Sequence, residues 1–122
     1  MEKTKSSEEL LVRQKPHEFV LLAYRVTEQV PRQEIYGLTS QFRRAAVSIA
    51  ANIAEGYQKK DHKNKIHFLN IAQLSLEECR YYMKLSKDLH FQDDQQLQGS
   101  LNEVGKLLNA SSKAIVFNHS FS

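Results

Sequence analysis

Apolar residues return every three or four positions in four successive blocks of this chain, a spacing that one face of an α-helix produces and a strand does not. In the first block Phe19, Leu22, Ala23, Val26 and Val30 keep the step until Pro31 stops it. Pro16 is predicted to open this helix at its first position, and Ser6 with Glu9 fits a capping box further upstream. The second block carries Ile35, Leu38, Phe42, Ala45, Ala46, Ile49 and Ile53, with Gly56 expected as a left-handed C-cap. The third follows Asp61, a candidate N-cap, with Leu69, Ala72, Leu76, Cys79 and Met83. Its opposite register, Phe68, Ile71, Ser75, Glu78, Tyr82, Leu85 and Leu89, is also largely apolar. The fourth, after Asp93 or Asp94, holds Leu97, Leu101, Val104, Leu108, Ser111 and Ile115. Gly105 inside it costs about 1 kcal/mol against alanine, which predicts close packing there.

Only four glycines and two prolines occur in 122 residues, too few turn formers for an all-β fold. Short connections between long helices force neighbours to run antiparallel. The predicted fold is therefore all-α, an antiparallel up-and-down four-helix bundle forming a single domain over residues 1–122. Residues 1–9 and 118–122 are expected to fray.

Several classes of function are excluded or weakened. The longest nearly apolar run, residues 45–54, is half the roughly 20 residues a spanning helix needs, so no membrane partner is expected. The polar start MEKTKSSEEL lacks the apolar core of a secretory signal, and the lone Cys79 has no second thiol, so a cytoplasmic location is predicted. His62 and His67 stand five apart, off a shared helical face, and no metal or cofactor is expected. Glu55 and Glu78 are the candidate carboxylates for acid-base work, and no histidine, nucleophile or oxyanion donor accompanies either at a telling spacing. No catalytic residue is assigned, and the chain is read as a non-enzyme.

The second helix has more apolar surface than one protomer can bury. Besides its core stripe, Val47, Ala50, Ala51 and Ala54 make a second flank, so that roughly two thirds of the circumference is apolar or small against the single stripe of an ordinary surface helix. Phe68, Ile71 and Tyr82 give the third helix the same excess. A homo-oligomer interface built from these two helices follows. Arg44, Ser48, Asn52 and Glu55 occupy the remaining arc and, with Glu78, form a polar constellation. It reads either as a hydrogen-bonded network fixing register or subunit orientation, or as a binding centre.

The run YQKKDHKNKIH, residues 57–67, places Lys59, Lys60, Lys63 and Lys65 against one aspartate at the end of the bundle that also holds both termini. That end is net positive and the other slightly negative. Repeated around an oligomer, such a surface would favour RNA or DNA through phosphate contacts. A protein-interaction scaffold without direct nucleic-acid contact is the alternative.

IYGLTSQFRRAAVSIAANIAEGYQKK, residues 35–60, resembles the signature LTxQxRRAAxSIxxNIAEG of the bacterial 23S rRNA intervening-sequence proteins. The likeness continues through HFLNIAQLSLEE, residues 67–78, against FLxIAxGSLxEL, and upstream through VRQKPHEFVLLAYRVTEQVP, covering residues 10 to about 90. Arg13 departs from a usual aromatic, Pro16 from a helix former, Leu74 from glycine and Cys79 from leucine. The resemblance implies a small non-enzymatic bundle assembling into rings, with five subunits expected. Some members are encoded inside insertions in ribosomal RNA genes. The family fold is similar to the accessory variability determinant of diversity-generating retroelements, a basic pentamer that associates with reverse transcriptase and nucleic acid; on a shared fold this is analogy alone.

Overall fold

The computed structural model describes residues 7–121, with side chains placed for residues 10–34 and 36–116. Four helices follow in order: α1 (Ser7–Thr27), α2 (Ser40–Gln58), α3 (His62–Asp88) and α4 (Gln95–Phe121). They form an antiparallel bundle in which α1 and α3 each pack between α2 and α4. The α2–α3 contact is the most extensive.

The core is the predicted periodicity made solid. Phe19, Leu22, Ala23 and Val26 of α1 meet Phe42, Ala45, Ala46, Ile49 and Ile53 of α2. Leu69, Ala72, Leu76, Cys79 and Met83 of α3 and Leu97, Leu101, Val104 and Leu108 of α4 close the other half. Phe19 and Phe42 meet edge to face, with ring centroids 6.1 Å apart and planes at 78°, the arrangement their quadrupoles favour.

Two caps fall where the sequence puts them. Asp61 is extended, and its carboxylate accepts from the Asn64 amide N–H at 3.2 Å and from the Asn64 side chain at 2.9 Å. These hydrogen bonds hold its pKa below the ordinary value. Of the two candidates before α4, Asp94 does the work: its Oδ1 accepts from the Leu97 N–H at 2.8 Å. Gly105 packs closely as expected, since a Cβ there would lie 3.1 Å from Arg80 Nη2 and 3.6 Å from Leu76.

Three expectations need correction. Pro16 does not open α1; it lies inside, with its ring fully buried. Val12 extends the apolar stripe upstream through Pro16 to Phe19, and burial of that stripe outweighs the proline's missing N–H. Gly56 is not a left-handed cap, because no glycine among the described residues has positive φ and α2 runs on to Gln58. Its smallness serves packing: a Cβ would meet the Lys65 carbonyl oxygen and Leu69 Cδ2 at 3.3 Å and Phe68 Cβ at 3.4 Å. The second helix also does not run continuously from Ile35. A short 3-10 turn (Arg32–Glu34) leads into a π-helical turn (Ile35–Thr39) broken at Gly37, and regular helix starts at Ser40. The capping box at Ser6 lies outside the described residues.

The left-handed position is His90, with φ of 63°. The His90 N–H bonds the Lys87 carbonyl at 3.0 Å and the Phe91 N–H bonds the Ser86 carbonyl at 2.9 Å, a Schellman closure of α3 with histidine where glycine is usual.

Candidate nucleic-acid and subunit interfaces

The four lysines of the basic run share the α2–α3 corner but not one environment. Lys59 Nζ is 3.4 Å from Glu55 Oε2 and 5.0 Å from the centroid of the Phe68 ring. Lys65 Nζ donates to the Tyr57 carbonyl oxygen at 3.4 Å and lies 6.0 Å from the Tyr57 ring centroid. Both cations are thus held against aromatic faces. Lys60 and Lys63 are exposed and bond no described residue. The corner is fixed to α4 by Tyr57, whose hydroxyl donates to Ser111 Oγ at 2.7 Å.

The polar constellation divides. Ser48 and Ser75 share a hydrogen bond of 2.7 Å across the α2–α3 contact. Asn52 Nδ2 donates to the Ser48 carbonyl at 2.8 Å and to Ser48 Oγ at 3.1 Å. Glu55 turns to Lys59. Arg44 and Glu78 are exposed and pair with no described residue. Ser75, which the sequence placed on the apolar register, is the missing partner; small hydroxyls facing each other at a close helix crossing were the available signal.

Arg44's neighbour Arg43 behaves oppositely, because successive residues diverge by 100° around a helix. Arg43 Nε donates to Thr27 Oγ1 at 2.8 Å, Nη2 donates to the Tyr24 carbonyl at 3.2 Å, and the guanidinium lies 4.5 Å from the Tyr24 ring centroid. Thr27 Oγ1 in turn donates to the Ala23 carbonyl at 2.7 Å. Arg43 therefore ties α2 to the end of α1.

The candidate subunit surface is uneven. Ala51 and Val47 are exposed, the latter by 42%, while Ala50, Ala54, Phe68, Ile71 and Tyr82 are half-buried within the single chain. Further round α3, Leu74 is 66% and Tyr81 60% exposed. Burial, with a smaller contribution from the charge of Glu78, pushes the Cys79 thiol up to about 12, so it stays protonated at neutral pH. Among the described residues no three His, Cys, Asp or Glu side chains are grouped to hold a metal ion, and no helix is long and apolar enough to cross a membrane.

These features define an all-helical four-helix bundle with a basic corner and a partly exposed apolar flank. The chain belongs to the 23S rRNA-intervening sequence protein family, whose sequence model matches residues 8–110 and so reaches into α4, beyond the stretch whose motifs carry the resemblance. It is similar to a solved structure of a protein of unknown function from the S23 ribosomal protein family of Bacteroides thetaiotaomicron. The two share 26% identity and a TM-score of 0.75, covering 87% of this chain and 98% of that one. None of the curated proteins matches it significantly.

Proposed function

We propose that the chain is a non-enzymatic cytoplasmic protein that assembles into a homo-oligomeric ring, with five subunits expected, and presents its α2–α3 corners to RNA. The observation that carries this reading is the corner itself, where Lys60 and Lys63 stand unpaired beside two cations fixed on Phe68 and Tyr57. Phosphates would meet up to four ammonium groups per subunit, and repetition around a ring multiplies the field. The apolar flank of Val47 and Ala51, continued by half-buried Ala54, Phe68, Ile71 and Tyr82, supplies the surface through which copies would meet.

Light scattering at micromolar concentration should give a mass several times that of the 14.1 kDa chain; a monomer removes the ring. RNA binding should fall steeply with salt. A Lys60→Glu/Lys63→Glu variant leaves the two aromatic-bound lysines in place, and if it binds RNA as tightly as the parent at low salt the corner is not the site. The second reading, a protein scaffold, is favoured by exposed Leu74 and Tyr81. A pull-down that survives nuclease and high salt, and is lost in Leu74→Ser/Tyr81→Ser, would select it.

A further inference from the structure

At the other end of α2 lies an open cleft of about 460 Å³ between α1 and the start of α2, walled by Tyr24, Tyr36, Ser40, Arg43, Arg44 and Val47. Tyr36 is 93% exposed on the π-helical turn. So large an aromatic left in water loses most of the burial that aromatic rings usually provide. Arg44 is beside it, exposed and unpaired. Arg43 is committed to Tyr24 and Thr27 and forms a fixed wall. The charge type is also particular: no lysine occurs between Lys15 and Lys59, and the permanently charged cations in that interval are all arginines, Arg25, Arg32, Arg43 and Arg44. Guanidinium groups bind phosphate bidentately and stack on flat rings, which ammonium groups do not.

We propose that this cleft binds single-stranded nucleic acid, with Tyr36 as the platform for one unpaired base and Arg44 as the contact to an adjacent phosphate. The proposal rests on the nucleic-acid reading above but assigns a second site, at the opposite end of α2 from the lysines. The occupant is argued from charge: the lining carries two guanidinium groups and no carboxylate, which matches a phosphate backbone, and an exposed ring beside them suits an unpaired base. Stacking accepts any base, so the cleft would discriminate single strands from duplex and not one sequence from another.

The test is fluorescence anisotropy with labelled oligouridine and, in parallel, an RNA duplex, on the full chain, with the assembly mass measured for every variant. Tyr36→Ala should weaken oligouridine binding about fivefold or more, Tyr36→Phe should bind like the parent, and duplex binding should be the same in all three. Arg44→Gln should weaken oligouridine and reduce the slope of log affinity against log salt by about 0.7. Oligouridine binding unchanged in the Tyr36→Ala/Arg44→Gln double variant overturns the cleft, and if Lys60→Glu/Lys63→Glu loses binding in the same assay the lysine corner stands without it. The reverse pattern keeps the cleft and removes the lysine corner. Equal loss on single strand and duplex overturns the stacking role, and a loss accompanied by a change in mass makes the cleft a contact between subunits and overturns the proposal.

Discussion

At the α2–α3 end of the bundle, Asp61 caps α3 with its side chain, Gly56 admits the first turn of α3 at van der Waals distance, and Tyr57 is latched to Ser111. At the opposite end the chain passes through a 3-10 turn and a π-helical turn, and closes α3 on a left-handed histidine. That second end also buries the Ser86 hydroxyl with no hydrogen-bond partner among the described residues, beside Thr39, Phe42 and Met83. Asp94 caps α4 there as Asp61 caps α3 at the first end, but only this second end also tolerates residues unsuited to their local geometry. Irregular backbone and unsatisfied groups gather where a protein has something other than stability to maintain, and here they gather around the turn that exposes Tyr36.

The sharpest way to break this contrast is Gly56→Val. The added side chain would drive into the Lys65 carbonyl, which cannot move without shifting α3. Overpacking of this kind costs about 3 kcal/mol, read as a lower denaturant midpoint; an unchanged midpoint would mean the close approach is not real. His90→Gly works in the other direction, because a left-handed L-residue costs about 1–2 kcal/mol. It should raise stability by about 1 kcal/mol, and no gain would remove the strain assigned to that end. Ser86→Ala deletes a buried, unpartnered hydroxyl and should stabilise by up to about 1 kcal/mol; a loss instead would show that the hydroxyl is satisfied in solution.

The smallest effect is that of acid on Asp61. The Asn64 hydrogen bonds hold its folded pKa below the ordinary aspartate value, so the folded state favours the carboxylate. The contribution is complete above that value and disappears as pH falls through the folded pKa. The stability difference between the parent and Asp61→Ala should be flat at neutral pH and narrow below about pH 4. A gap that widens in acid would reverse the assignment.

What could be seen from the sequence follows the same division. The core was legible because burial on a helix repeats every 3.6 residues, and Phe42, Ile49, Leu69, Leu76, Leu101 and Leu108 need no knowledge of their neighbours to be found. Pro16 and Gly56 mislead because both have strong local meanings, and tertiary packing overrules each. The π-helical turn left no periodic trace, and the left-handed site fell on a residue type that does not announce it. At the lysine corner the run of charge was plain. Which cations were already engaged was not, since Phe68 and Tyr57 approach Lys59 and Lys65 only once α2 and α3 fold together. Arg43 and Arg44 are identical in sequence terms, and only the position of α1 makes one a tether and leaves the other free.

Lys59 and Lys65, resting on Phe68 and Tyr57, have already surrendered much of the rotational freedom that long side chains ordinarily lose when they grip a ligand. A phosphate arriving there would meet a pre-shaped positive surface instead of two waving tethers. Replacing Phe68 or Tyr57 with leucine would leave the net charge untouched and yet soften that surface, slowing neither encounter nor steering but shortening the time a bound strand stays.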